Sequence, residues 1–97
     1  MSLFVLNYQY CEGYLEKRTP YRQDHFAHAT KSIDAEQLIV AGAYANPADG
    51  ATLIFKNIDD PAVVEAFAQN DPYTTNGIVT GWTIREWTVV VGAELFE

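Results

Sequence analysis

Two histidines, His25 and His28, a lone cysteine, Cys11, and an aspartate set before proline, Asp71-Pro72, are the side chains in this 97-residue chain best equipped for chemistry. Imidazole ordinarily titrates near neutrality, so a histidine whose tautomer is fixed by a carboxylate is the simplest general acid or base at physiological pH. His25 with Asp71 would make such a pair, the carboxylate orienting and polarising the ring as it does in nucleophile-activating triads. Each also has a plainer role, His25 as a satisfied, half-buried helix residue and Asp71 as the cap of a short turn from Pro72 to Asn76. Arg18 and Arg22 have the fork geometry to hold an anionic group, or else neutralise Glu12, Glu16 and Asp24 nearby; for Arg18 surface pairing is the expectation. Tyr8, Tyr73 and Trp82 offer faces on which an aromatic ligand would stack, although aromatics at strand positions more often fill a core.

Other chemistries find no footing. His25 and His28 diverge by about 60° around a helix, and no cysteine or carboxylate spacing reinforces them, so no metal is expected. A single cysteine forms neither an internal disulfide nor a thiolate cluster. The two serines, Ser2 and Ser32, lack a nucleophile-elbow setting, and neither a dinucleotide nor a P-loop glycine motif occurs, so no cofactor is expected. Thirteen acidic against six basic side chains give a formal charge of −7, which argues against nucleic acid or an anionic membrane surface as partner. With 48% hydrophobic and 20% charged residues the chain reads as a soluble globular protein, one domain over residues 1–97. The start has no signal-peptide pattern, which predicts a cytoplasmic location.

The elements that must position these residues follow from periodicity. Leu3 to Tyr10 alternates as a strand, with Phe4, Leu6, Tyr8 and Tyr10 on one face. Thr19-Pro20 is a cap-then-proline start for a helix running to about Glu36. Leu38 to Tyr44, the turn Asn46 to Gly50 and Ala51 to Lys56 read as a hairpin. Asp60-Pro61 opens a second helix with Val63, Val64 and Phe67 as its apolar stripe, ending near Asn70; Trp82 to Val91 closes the chain as a strand. The order predicts an α+β, ferredoxin-like βαββαβ sandwich, with a four-stranded antiparallel sheet in spatial order 4-1-3-2 and two helices on one face. Strands one and two are apolar on both sides, so the uncovered face is expected to meet a second copy of the chain.

This topology brings the start of the first helix and the end of the second to one edge of the sheet, and with them His25 and Asp71. Within the first helix, Phe26, Ala29 and Ile33 define the expected buried stripe, with Arg22 almost at its centre, His25 about 70° to one side and His28 about 130° away on the solvated flank. Four of the six basic side chains fall in the first forty residues, around a helix N-terminus whose free amides also favour an anion.

The run Leu15-Glu16-Lys17-Arg18, then Arg22-Gln23-Asp24-His25-Phe26, then Ala41-Gly42, Asp71-Pro72-Tyr73 and Gly77, resembles the YciI-like (YCII-related) family over nearly the whole chain. The resemblance implies a dimeric α+β barrel and a site in which His25 and Asp71 act together. The combined reading is a cofactor-independent homodimer that uses His25 and Asp71 for proton transfer on a small anionic, aromatic or lactone-like molecule, of lyase or isomerase type. Arg22, Arg18 and Tyr73 are the expected substrate contacts. The alternatives are a non-catalytic small-molecule binding module anchored on Arg22 and His25, and a partner domain that only dimerises.

Overall fold

The computed structural model describes residues 2–96. Strand β1 (Ser2–Tyr10) lies inside the sheet, between β3 (Gly50–Phe55) and β4 (Val79–Thr88), and β2 (Leu38–Ala43) pairs with the far side of β3. All three pairings are antiparallel and the spatial order is β2-β3-β1-β4, the ferredoxin-like order expected. The helices are α1 (Tyr14–Lys17), α2 (Arg22–Asp34), α3 (Ala62–Asn70) and α4 (Pro72–Thr75). Among the described residues no helix is long and apolar enough to cross a membrane.

The helix-side core follows from alternation in the strands. Leu6 and Tyr8 of β1, Leu53 and Phe55 of β3 and Leu38 of β2 are buried together with Val64, Phe67 and Ala68 of α3. The stripe of α3 differs from expectation by one place: Ala68 is buried while Val63 stands at the surface. The start of α3 falls one place later than expected: Pro61 is at the N-cap position and Asp60 lies just before it, its Oδ1 accepting the Ala62 N–H at 2.9 Å.

Other boundaries move as well. The polar segment Cys11 to Arg18, ahead of the first long helix, contains α1 behind Gly13, whose φ of 72° suits glycine. Thr19-Pro20-Tyr21 forms a single 3₁₀ turn without a side-chain cap, and α2 starts only at Arg22. At the other end β4 begins at Val79 and stops at Thr88, where its partner in β1 is Ser2. Val90 and Val91 lie at the surface instead of extending the sheet.

Helix α2 is turned from the predicted orientation. Phe26 and Ile33 are each 50% exposed, whereas Ser32 is buried and His25 and His28 are half-buried. The cause is α3, whose Phe67 ring packs on the His28 ring at 4.4 Å and whose Phe67 carbonyl accepts the His28 Nε2–H at 2.9 Å. That carbonyl belongs to the last turn of α3, where intrahelical donors run out, so His28 serves as its partner instead of facing solvent.

Among the described residues the opposite face of the sheet carries no α-helix, though the 3₁₀ turn Ala93–Phe96 sets the Phe96 ring edge-on to Trp87 at 6.2 Å. Val5, Ile54 and Trp87 border a 490 Å³ concavity there, and Tyr44 folds over its rim to hydrogen-bond Asn7 Oδ1 at 3.0 Å and Thr52. Gly50 shows how closely the hairpin approaches β1: a Cβ at this position would sit 2.5 Å from the Tyr8 carbonyl oxygen. Gly50→Ala should therefore cost about 1–3 kcal/mol in urea unfolding. Gly42→Ala, with nothing within 4 Å of the new methyl, should be neutral or slightly stabilising.

Candidate active site

Asp71 is the organising group. It sits between α3 and α4 with an extended backbone, φ −64° and ψ 127°, which ends one helix and caps the next. Its side chain is 0% exposed. A carboxylate so removed from water needs strong donors, and three are in place. The Tyr73 backbone N–H donates to Oδ1 at 2.9 Å, the Tyr8 hydroxyl donates to Oδ2 at 2.8 Å, and His25 Nδ1 lies 2.8 Å from Oδ1 and 2.9 Å from Oδ2. The cap and the histidine partner, alternatives in the sequence, coexist because the two oxygens provide enough lone pairs.

An ionised carboxylate only accepts, so His25 Nδ1–H donates to Asp71 and Nε2 is the ring nitrogen left for another partner. The ring is fixed on its flat side too. Tyr73 stacks on it at 3.8 Å between centroids and 4° between planes.

His25 and Tyr73 border a 390 Å³ cavity between α2 and the helix-side face of β2 and β3. Tyr10 and Tyr14, stacked at 4.1 Å, form another wall. Arg18 lies 5.2 Å over the Tyr14 ring and reaches its hydroxyl at 3.3 Å, a tyrosine contact in place of the expected carboxylate. Arg22 also borders the cavity, but from an exposed position over Phe26 at 5.0 Å, so it is not at the centre of a buried stripe. All five residues singled out as site candidates, His25, Asp71, Arg22, Arg18 and Tyr73, thus meet at one edge of the sheet. Trp82 does not: its indole N–H donates to Glu65 at 3.1 Å, away from the pocket. Among the described residues no cluster of three His, Cys, Asp or Glu side chains forms a metal site.

Residues 2–88 match the profile of the YCII-related domain. The chain belongs to that family. Among solved structures it is similar to 5-chloro-2-hydroxyhydroquinone dehydrochlorinase (TftG) from Burkholderia phenoliruptrix AC1100, in complex with 2,5-dihydroxybenzoquinone. The TM-score is 0.74 at 21% identity, covering 89% of this chain and 93% of that one. Protein Atu4242 from Agrobacterium tumefaciens follows at 0.60 and 13%, covering 95% and 96%. A variant of MhuD with two manganese protoporphyrin IX molecules bound per active site gives 0.50 and 12%, covering 94% and 96%. Among curated proteins none matches. At these identities the solved structures establish the fold of this YCII-related domain, four antiparallel strands with helices on one side.

Tyr10 and Tyr14 were not singled out from the sequence, and Tyr8 was weighed there only as a stacking face. Tyr8 had a readable signal, since strand alternation puts it on the helix side, where a buried hydroxyl requires a partner. Tyr14 had none, because α1 was not foreseen.

Burial raises the Tyr8 phenol far above its ordinary 10.0, and the Asp71 charge raises it further. Burial raises Tyr10 as well, with neighbouring Tyr14 adding to the shift. A phenol that holds its proton longer folded than unfolded contributes stability that is fully present below pH 10 and is lost as the pH climbs above it. Unfolding free energy should therefore be insensitive to these tyrosines up to about pH 10 and fall steeply beyond. Native tyrosinate absorbance should lag behind that of the unfolded chain over the same range.

Proposed function

We propose that this protein is an enzyme that transfers a proton, with His25 as the acid–base group and Asp71 as its orienting partner, on a small hydroxylated aromatic molecule. The supporting observation is the convergence of a fully buried, three-donor carboxylate with an imidazole that borders a tyrosine- and arginine-lined cavity. A surface ion pair has no need of such enclosure.

In the reaction, Nε2 takes a proton from the substrate while Nδ1–H stays on the ring, hydrogen-bonded to Asp71, whose charge stabilises the imidazolium that forms. Arg18 and Arg22 hold the developing phenolate, and Tyr10, Tyr14 and Tyr73 supply flat apolar contact. Loss of an anionic leaving group with its bonding pair completes an elimination, and return of the proton to another carbon gives an isomerisation. Neither draws electrons from outside the substrate, so the reading requires no cofactor. TftG supports the choice of substrate class: its name specifies dehydrochlorination of a chlorinated hydroquinone and its structure holds a dihydroxyquinone.

Halogenated hydroquinones, 5-chloro-2-hydroxyhydroquinone among them, are the first probes, with chloride release as readout. His25→Ala should lose about 100- to 10,000-fold in turnover. Asp71→Asn keeps the cap on Tyr73 but removes the charge, so it should reduce turnover far more than stability. The double variant should lose little more than the worse single one, as expected of two groups acting as a unit. Small additive losses would move the assignment to a binding module that uses the same cavity.

The apolar open face supports a second part of the proposal, a homodimer formed sheet to sheet over Val5, Ile54 and Trp87. Light scattering at micromolar concentration should return about twice the 10.9 kDa of one chain. A clean monomer would overturn it.

A further inference from the structure

The Tyr8 hydroxyl is the one side-chain donor on Asp71 that does not border the cavity. Tyr8 is 2% exposed, its hydroxyl donates to Oδ2 at 2.8 Å, and the residues lining the pocket include Tyr10, Tyr14 and Tyr73 but not Tyr8. It reaches Asp71 from β1, on the side of the carboxylate away from substrate space, and so cannot act by touching the substrate. Two donors from the α4 side and α2, the Tyr73 N–H and His25 Nδ1–H, would already satisfy a cap and a histidine partner. The third has a different consequence for charge.

A buried carboxylate beside an imidazolium has two options, to remain ionised or to take the Nδ1 proton and leave both groups neutral. A hydrogen bond donated to the ionised form favours that form, and in a water-poor site a phenol is a strong donor that never competes by losing its own proton. Burial and the Asp71 charge keep the Tyr8 phenol protonated throughout the working range.

We propose that Tyr8 is a positioning residue for the pair: its hydroxyl holds Asp71 as an acceptor, so that Nδ1–H stays on His25 while Nε2 exchanges protons with the substrate. The proposal rests on the acid–base reading of His25 and Asp71 and deepens it. It assigns β1, which contributes nothing to the cavity wall at this position, a part in the chemistry.

The test separates the two levels. In the free protein, the Nδ1–H proton resonance and ring ¹⁵N shifts of His25 report the hydrogen bond to Asp71 without any substrate. Tyr8→Phe removes the donor and keeps the ring, so the carboxylate charge falls on fewer bonds and the Nδ1–H resonance should move downfield. Replacing Tyr8 by 3-fluorotyrosine keeps the fold and strengthens the donor, and should move the same resonance upfield. With 5-chloro-2-hydroxyhydroquinone as probe, Tyr8→Phe should lower kcat by on the order of 10- to 100-fold, the weight of one hydrogen bond to a charged group, and leave KM within about twofold. A resonance that stays put in both variants would overturn the proposal, and if Tyr8→Phe fails to fold the fluorinated protein decides alone. If His25→Ala proves as active as the parent, the catalytic reading fails, and the resonance still tells whether Tyr8 acts on His25 through Asp71.

Discussion

A carboxylate with no access to water, in a chain that already carries a net charge of −7, is the constraint around which this molecule is arranged. Leaving Asp71 ionised and unpaired in that position would cost several kcal/mol, more than a domain this small can spare. Each of its donors comes from a different part of the chain: Tyr8 from β1, His25 from α2, and the Tyr73 amide from α4. The carboxylate is therefore a junction as well as a chemical group. It ties the inner strand to α2 and α4 at the edge where the loops meet.

That junction explains the orientation of α2. Apolar periodicity alone favours turning Phe26, Ala29 and Ile33 to the sheet, but this would carry His25 away from Asp71 and His28 away from the Phe67 carbonyl. Two hydrogen bonds to buried acceptors, one of them charge-assisted, outweigh the burial of two side chains that remain half-covered in any case. The helix thus presents its polar stripe inward and its apolar residues to the cavity. A wall of Phe26 and Ile33 beside Arg22 is what a ligand with a flat apolar body and an anionic rim would meet.

Topology was legible because it depends on features that a sequence carries locally: alternation in β1, cap-then-proline at Asp60-Pro61, and the hairpin residues from Asn46 to Gly50. From it the meeting of His25 and Asp71 could be read as geometry, since the first long helix begins and the second ends at one edge. The facing of α2 was not legible, because it is decided by partners some forty residues away that periodicity does not see. The end of β4 was hidden as well: three valines favour a strand, yet the strand stops at Thr88 and Val90 and Val91 lie at the surface. The short α1 lay outside any apolar pattern, and with it the place of Tyr14.

The two faces of the sheet then divide the work. On the helix side, polar contacts of fixed geometry hold His25 by its Nδ1 and by its ring face, so the ring keeps little freedom. On the open side, Val5, Ile54 and Trp87 form a surface with no comparable anchoring, interrupted by Arg85 and by Tyr44, Asn7 and Thr52 hydrogen-bonded to one another. Since β1 contributes to both faces, with Tyr8 pointing to the carboxylate and its neighbour Asn7 to the open side, a shift of that strand by one residue would disrupt both at once.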